Sequence, residues 1–455
     1  MNFQRMTKKR AHRQGLIYRL FRAYMFYIHD CFLYKNVYRI DTKNVPAAGV
    51  PTLLVSNHQN CLCDPLTLVF TLRDRRINEF VRADVFNIHP LITKILQYLG
   101  LNPAFRLDFD GKEALWENRD MFKSSEEKLL AGETVLMYPE GRHQHKHWLG
   151  DFSLGYTKLA FETAALGNFE KDIFILPCCN HYSAYQGLQH DVVVKFGKPI
   201  SLKPYYELYQ AKPRTAQRQI NEVVREQLLG LMLHIADLNN YQAIDFLRNT
   251  YGRKFAQANG YKADFLPDKL ESDKLFVQKL QKAKEANTAE VQSIFEDALT
   301  IKDRLNKLNV RDEQFDKTPG WLSIAMTVLA LTALLPVWLV ALWPNIFIYL
   351  LPSVVMRRIK DKQFTNSFLL TISGVVTMPF FYILSFIIAW IGTNVWIALI
   401  YALMLPWLGL FAFKYWRYAV RTVQNIRFKR LIETANCQKI RDLHHNIYEQ
   451  LNKLL

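Results

Sequence analysis

At 455 residues the chain has room for more than one folded unit, and with 50% hydrophobic residues core size is no limitation. Its net charge of +17 calls for an anionic partner, but no zinc-finger spacing or RNP-like motif accompanies it, which argues against nucleic acid. The basic residues lie beside apolar and amphipathic stretches, so a bilayer with anionic lipids is the simpler partner; six cysteines with no CxxC pair read as reduced, mostly buried thiols of a cytosol-facing protein.

Residues 1–45 form a basic amphipathic segment for the membrane interface. Arg5, Lys8, Lys9, Arg10, Arg13, Arg19 and Arg22 precede the first acid, Asp30, and alternate with Leu16, Ile17, Leu20, Phe21, Tyr24, Met25 and Phe26. Such a helix either lies on a bilayer with its arginines among the headgroups or packs on its own domain. Arg19 and Arg22 interrupt what would be the apolar core of a cleavable signal.

Over 46–205 short apolar runs alternate with helical patterns. Strands are predicted at 52–56, 134–138, 173–177 and 192–196, and helices at 66–72, 91–99, 112–130 and 154–165. This alternation argues for an α/β domain with a mainly parallel mixed sheet and its chemistry on loops at strand ends. Residues 206–318 are charged and helical throughout, a helical arm with no chemistry of its own.

From 319 to 415 the chain is almost continuously apolar, which reads as transmembrane helices, about four passes or two hairpins. A span needs roughly 20 residues, so 321–355 is too long for one simple span and slightly short for two; Pro336, Pro344 and Pro352 favour a break or hairpin. A hairpin keeps the linker Arg357-Arg358-Ile359-Lys360 on the cytosolic side, as the positive-inside rule requires. Two more spans over 367–413 return a basic tail, 416–455, to the cytosol. The expected protein is multi-pass in the cytoplasmic membrane with its active site facing the cytosol.

The chemistry concentrates where strand 52–56 stops. Asn57-His58 follows it directly, and Asp64-Pro65 opens the next helical run. Asp-Pro is a good helix start on its own, since the carboxylate accepts from exposed amides and proline fits the first helical position. Combined with a histidine at a strand end, the same carboxylate can fix one imidazole tautomer and support its charge as it takes a proton. The pair reads as a general base for a hydroxyl or water. His143, His145 and His147 alternate in a loop without a further ligand block, so no metal is assigned. Cys61 and Cys63 beside the base are better explained by burial than by acyl-cysteine chemistry.

Asn57-His58 with Asp64-Pro65 resembles the first signature of the glycerolipid acyltransferase superfamily, the glycerol-3-phosphate and 1-acylglycerol-3-phosphate O-acyltransferases. That family usually has four residues between His and Asp; here there are five, Gln59 to Cys63. At about 100° per residue neither spacing stacks the two side chains on one helical face, so the histidine sits on a loop or bent first turn that absorbs the extra residue. The longer spacing resembles the membrane-bound branch that includes fungal glycerol-phosphate/dihydroxyacetone-phosphate acyltransferases. Further blocks follow in order. Leu101 to Arg106, with Asp110-Gly111 and Asn118, resembles the second, Tyr138-Pro139-Glu140-Gly141-Arg142 the third without its usual threonine, and Ile175-Leu176-Pro177 the fourth.

The resemblance implies His58 and Asp64 as catalytic residues, and Asn57, Arg106, Glu140, Gly141, Arg142 and Pro177 as substrate-binding residues. Arginine suits the role of phosphate donor because its planar fork matches phosphate oxygens. It implies no cofactor, with acyl-CoA or acyl-carrier-protein as co-substrate and a phosphorylated glycerol as acceptor. The expected function is transfer of a fatty acyl chain to glycerol-3-phosphate or dihydroxyacetone phosphate in phospholipid biosynthesis. The rivals are a lysophosphatidate acyltransferase, an acyltransferase for a non-phosphorylated lipid, and a lipid-binding membrane protein with a retired site. A transporter is disfavoured because the apolar third carries almost no charge of the kind transport sites use.

Overall fold

The computed structural model describes residues 15–82, 90–104, 114–318, 320–359 and 361–455. They divide into two compact units, residues 1–233 with Asp361–Ser367, and 234–360 with 368–455.

The first unit is an α/β domain. Helix α1 (Leu16–Tyr27) precedes strand β1 (Tyr34–Ile40), followed by β2 (Thr52–Ser56), α2 (Cys63–Thr71), β3 (Ile77–Arg82), α3 (Pro90–Leu99), β4 (Leu101–Ala104), α4 (Ala114–Leu130), β5 (Thr134–Met137), α5 (Gly155–Leu166), β6 (Phe174–Tyr182), β7 (His190–Phe196), β8 (Ile200–Ser201) and α6 (Pro213–Leu231). The strand order is β1-β7-β6-β2-β5-β3-β4, with β8 beside β6. All pairings are parallel except those of β6 with β7 and β8.

Strand β2 is central and fully buried, so it is apolar on both faces, as a strand covered by helices on each side must be. Leu53 is level with Val135 and Ile175, Leu54 with Leu136 and Leu176. Because side chains alternate across a strand, the first set faces a core with Leu159 and Phe161 of α5 and Ile220, Val224 and Leu228 of α6. The second set meets Leu68 of α2 with Val194 and Phe196 of β7. The parallel register brings the carboxyl ends of β2, β5 and β6 side by side, the place where open α/β sheets carry their sites.

Strands β1, β3 and β4 were not expected from the sequence, and β6 runs on to Tyr182, beyond the expected 173–177. The Leu-Asn-Pro-Ala stretch forms β4, an edge strand, where proline costs no ladder bond. Arg106, Asp110 and Gly111 lie outside the described residues, as does 1–14 of the basic N-terminal segment.

The second unit is helical. Helices α7 (Leu266–Ala286) and α8 (Thr288–Leu308) meet at Asn287, whose side-chain oxygen caps α8 by accepting from the Glu290 N–H at 3.3 Å. Among the described residues three helical stretches are long and apolar enough to cross a membrane, Trp321–Arg358, Lys362–Gly392 and Val395–Leu431. Where a break or hairpin was expected over 321–355, the backbone is one 38-residue helix with Pro336, Pro344 and Pro352 inside it. Apolar helices tolerate proline because local adjustments and neighbouring groups satisfy the freed carbonyls.

The β2–β5 register depends on a close approach at the turn that ends α4. Gly132 adopts φ +91°, and a Cβ there would lie 2.2 Å from the Gly49 carbonyl oxygen, in the turn that leads into β2. Its N–H donates to the Leu129 carbonyl at 2.9 Å, closing the helix. Gly132→Ala should therefore destabilise the α/β unit by about 1–3 kcal/mol, seen as a lower thermal midpoint of the detergent-solubilised protein. An unchanged midpoint would mean that this approach does not set the register.

Candidate active site

His58 follows the carboxyl end of β2, and after five intervening residues Asp64 sits in the first turn of α2. The intervening loop bends through Cys61 at φ +44°, a left-handed conformation uncommon for a non-glycine residue. That bend absorbs the long spacing: His58 Nδ1 lies 2.8 Å from Asp64 Oδ2. The same oxygen accepts the backbone N–H groups of Gln59 at 2.8 Å and Asn60 at 2.7 Å. The other, Oδ1, accepts the Tyr182 hydroxyl at 2.6 Å. Asp64 is fully buried, whereas the His58 side chain keeps 18% of its surface exposed. With Nδ1 at the carboxylate, Nε2 is the nitrogen left to meet a substrate.

Two other His/Asp pairs lack this exposure. His29 lies 2.8 Å from Asp30, is fully buried, and its Nε2 is taken by the Thr67 hydroxyl at 3.2 Å. His444 is 2.6 Å from Asp312 in the helical unit and packs on the Tyr448 ring.

The third motif closes over His58 from the end of β5. The Tyr138 ring stacks on His58 with centroids 4.0 Å apart. Glu140 accepts the His58 backbone N–H through Oε1 at 3.2 Å and the Gly150 N–H through Oε2 at 2.8 Å. Burial raises the Glu140 carboxyl, and those two backbone donors partly hold it down. Gly141 turns through φ +65°, and Arg142 beside it is exposed.

Asn57 and Pro177 have different surroundings. Asn57 is buried; its Nδ2 donates to the Asn180 carbonyl at 2.9 Å and its Oδ1 accepts the Asn180 N–H at 2.8 Å. These side-chain bonds tie the residue after β2 to β6 and anchor the loop that carries His58. Pro177 is buried within β6, level with Val55, and its carbonyl accepts the Gly197 N–H at 2.8 Å. The structure thus brings His58, Asp64 and Glu140 together, puts Gly141 and Arg142 at the adjoining turn, and leaves Pro177 in the sheet.

Four contributors escaped the sequence reading: Tyr182, Asn180, Tyr138 as a stacking partner, and Glu79. Asn180-His181-Tyr182 continues a strand past its apolar stretch, and polar residues prolonging a buried strand toward a site were the available signal. Glu79, on β3, is buried; burial first, then the Asp64 charge, pushes its carboxyl up to about 8.

Of the loop histidines, His143 meets His58 edge-on at 5.3 Å, with its pKa lowered to about 4 by burial and then by the His58 charge. His145 stacks on Tyr185, and His147 Nδ1 lies 2.9 Å from the Tyr185 hydroxyl. Among the described residues no group of three His, Cys, Asp or Glu side chains is placed to hold a metal ion. All six cysteines are free, and burial raises the Cys61 and Cys63 thiols, which disfavours the thiolate a cysteine nucleophile needs.

Comparison with known proteins gives three findings. Residues 36–181 match the family model described as Acyltransferase. The chain is 25% identical over 126 residues to an uncharacterized acyltransferase of Schizosaccharomyces pombe, covering 27% of this chain and 18% of that protein. The chain therefore spans less than a fifth of that relative's length. The crystal structure of the 1-acyl-sn-glycerophosphate acyltransferase PlsC from Thermotoga maritima is similar at 18% identity and a TM-score of 0.34, over 51% of this chain and 84% of that one.

The Glu79 carboxyl gives a pH test. Its value lies above the roughly 4.3 of an unfolded glutamate, so the folded protein binds this proton more tightly and loses stability as pH rises from about 5 through 8. Glu79→Gln should melt above the parent at about pH 9 and show a flatter dependence between about pH 6 and 9. Parallel melting curves across that range would contradict the assignment.

Proposed function

We propose that the chain is a membrane-bound O-acyltransferase that moves a fatty acyl chain from an acyl thioester to the hydroxyl of glycerol-3-phosphate or dihydroxyacetone phosphate. The observation that carries this reading is the His58–Asp64 pair at the end of β2, with Nδ1 on a buried carboxylate and Nε2 free of it, within an acyltransferase-family segment.

His58 Nε2 takes the proton of the acceptor hydroxyl as its oxygen attacks the thioester carbonyl carbon. Asp64 supports the imidazolium that forms and keeps the ring in one tautomer. The tetrahedral intermediate collapses with cleavage of the C–S bond, and the proton on Nε2 passes to the departing sulfur. An ester and a free thiol result, and the histidine returns to its starting state. No cofactor is needed, since the thioester brings its own activation.

Glu140 serves by fixing the His58 backbone. Arg142, exposed beside Gly141, supplies a cation for the acceptor phosphate, with Arg106 as its partner in the same role. The acyl chain and lipid product favour a bilayer location. Exposed Leu16, Ile17, Leu20 and Phe21 on α1 suit an interfacial helix, and the apolar helices suit embedding in the bilayer with the site on its cytosolic side.

The test is acyl transfer by the purified detergent-solubilised chain, with acyl-CoA and acyl-carrier-protein donors. The acceptors are glycerol-3-phosphate, dihydroxyacetone phosphate, lysophosphatidate and a phosphate-free lipid. We expect transfer to the first two, reduced at least about 100-fold in His58→Ala. Preference for lysophosphatidate or the phosphate-free lipid would reassign the acceptor. Equal transfer by His58→Ala, or none from either donor, would contradict the mechanism.

A further inference from the structure

The segment Asp361–Ser367 belongs to the compact unit that carries His58, although in sequence it begins the link after the apolar helix Trp321–Arg358. Its anchors are polar and specific. The Leu62 N–H, in the loop between His58 and Asp64, donates to Ser367 Oγ at 3.1 Å. The Gly187 N–H donates to Asn366 Oδ1 at 2.9 Å, and Gln186 Nε2 to the Lys362 carbonyl at 3.2 Å. Asn366 and Ser367 are buried. These bonds hold the backbone on either side of Phe364, a half-buried side chain. Its ring packs edge-on against His143 with centroids 4.8 Å apart, and His143 in turn lies 5.3 Å from His58.

We infer that Asp361–Ser367 forms the acyl-side wall of the active site, and that Phe364 is a specificity-determining residue that contacts the acyl chain close to its thioester carbonyl. The inference rests on the acyl-transfer reading above. The phenyl ring offers no hydrogen-bond donor, and His143, neutral at pH 7, carries no charge to hold a phosphate. Next to a base, such a surface suits methylene groups, which gain from apolar contact and need no polar partner. The donor carbonyl must come within bonding reach of the oxygen that His58 deprotonates, so the first methylenes beyond it lie near the ring that flanks His58. The cationic candidate, Arg142, belongs to the other substrate.

Two measurements on the full chain test this. In the first, His58→Ala protein in detergent is irradiated with a long-chain acyl-CoA bearing a diazirine near its carbonyl, and the labelled peptide is identified by mass spectrometry. Label is expected in the peptide holding residues 361–367, falling at least about fivefold when Phe364→Ala is added. Label confined to other peptides, or unaffected by Phe364→Ala, would overturn the inference. In the second, Phe364→Ala should raise the acyl-donor KM about tenfold and leave the acceptor KM essentially unchanged, with Phe364→Leu recovering most of the loss. A rise in acceptor KM instead would overturn it. If the parent transfers no acyl chain, the acyl-transfer reading fails, while the labelling, which needs no turnover, still decides what the wall contacts. If Phe364→Ala does not fold, Phe364→Gln, which keeps a long side chain but replaces the ring with a polar amide, carries both comparisons.

Discussion

Asp64 is a carboxylate with no exposed surface, and burial of that kind is tolerable only when each oxygen finds donors. It finds four: two backbone N–H groups from the loop before it, the Tyr182 hydroxyl and the His58 ring. Each comes from a different constraint. The backbone pair requires the loop to bend at Cys61. The tyrosine requires β6 to continue to Tyr182, past its last pairing with β2 at Ser56 and Cys178, and the Asn57–Asn180 amide exchange ties the end of β2 to that extension. Removing any one donor leaves a buried oxygen short of a partner, which costs about 1–3 kcal/mol or more for a charged group. The sheet register and the geometry of the candidate site are thus one arrangement.

The surroundings of the neighbouring titratable groups leave His58 as the candidate base. The two thiols beside it, Cys61 and Cys63, are pushed upward and stay protonated. Glu79 is neutral at pH 7 by burial, so a second negative charge is not forced against Asp64. His143 is depressed and does not compete for a proton at that pH. Burial disfavours charge on each of these groups, while the His58 imidazole has an oriented carboxylate behind it.

Much of this was legible in the sequence, and the gaps have physical causes. Strand β2 and the helix after Asp64 could be read because an all-apolar run and an Asp-Pro start are local signals. The His58–Asp64 contact was readable as a combination, since a strand end followed by a helix start brings the two close whatever the loop does. Strands β1, β3 and β4 were missed because each mixes polar residues into a short span: β1 and β4 are edges, and β3 carries Asn78 and Glu79 inward. Tyr182 was missed because its role depends on a partner 118 residues away. The continuity of 321–358 was missed because proline weighs against helices in water more than among apolar helices. Nothing local in Asp361–Ser367 announces that it packs beside His143; that is a property of long-range contacts alone.

The central claim is that Asp64 sets the tautomer and supports the charge of His58. Asp64→Asn tests it most directly, because the amide preserves size and can keep the tyrosine contact while losing the charge. kcat for acyl transfer is expected to fall by about 100- to 10,000-fold with little change in acceptor KM, in protein whose thermal unfolding shows it folded. Activity within a few-fold of the parent would contradict it, and would leave His58–Asp64 as a structural pair.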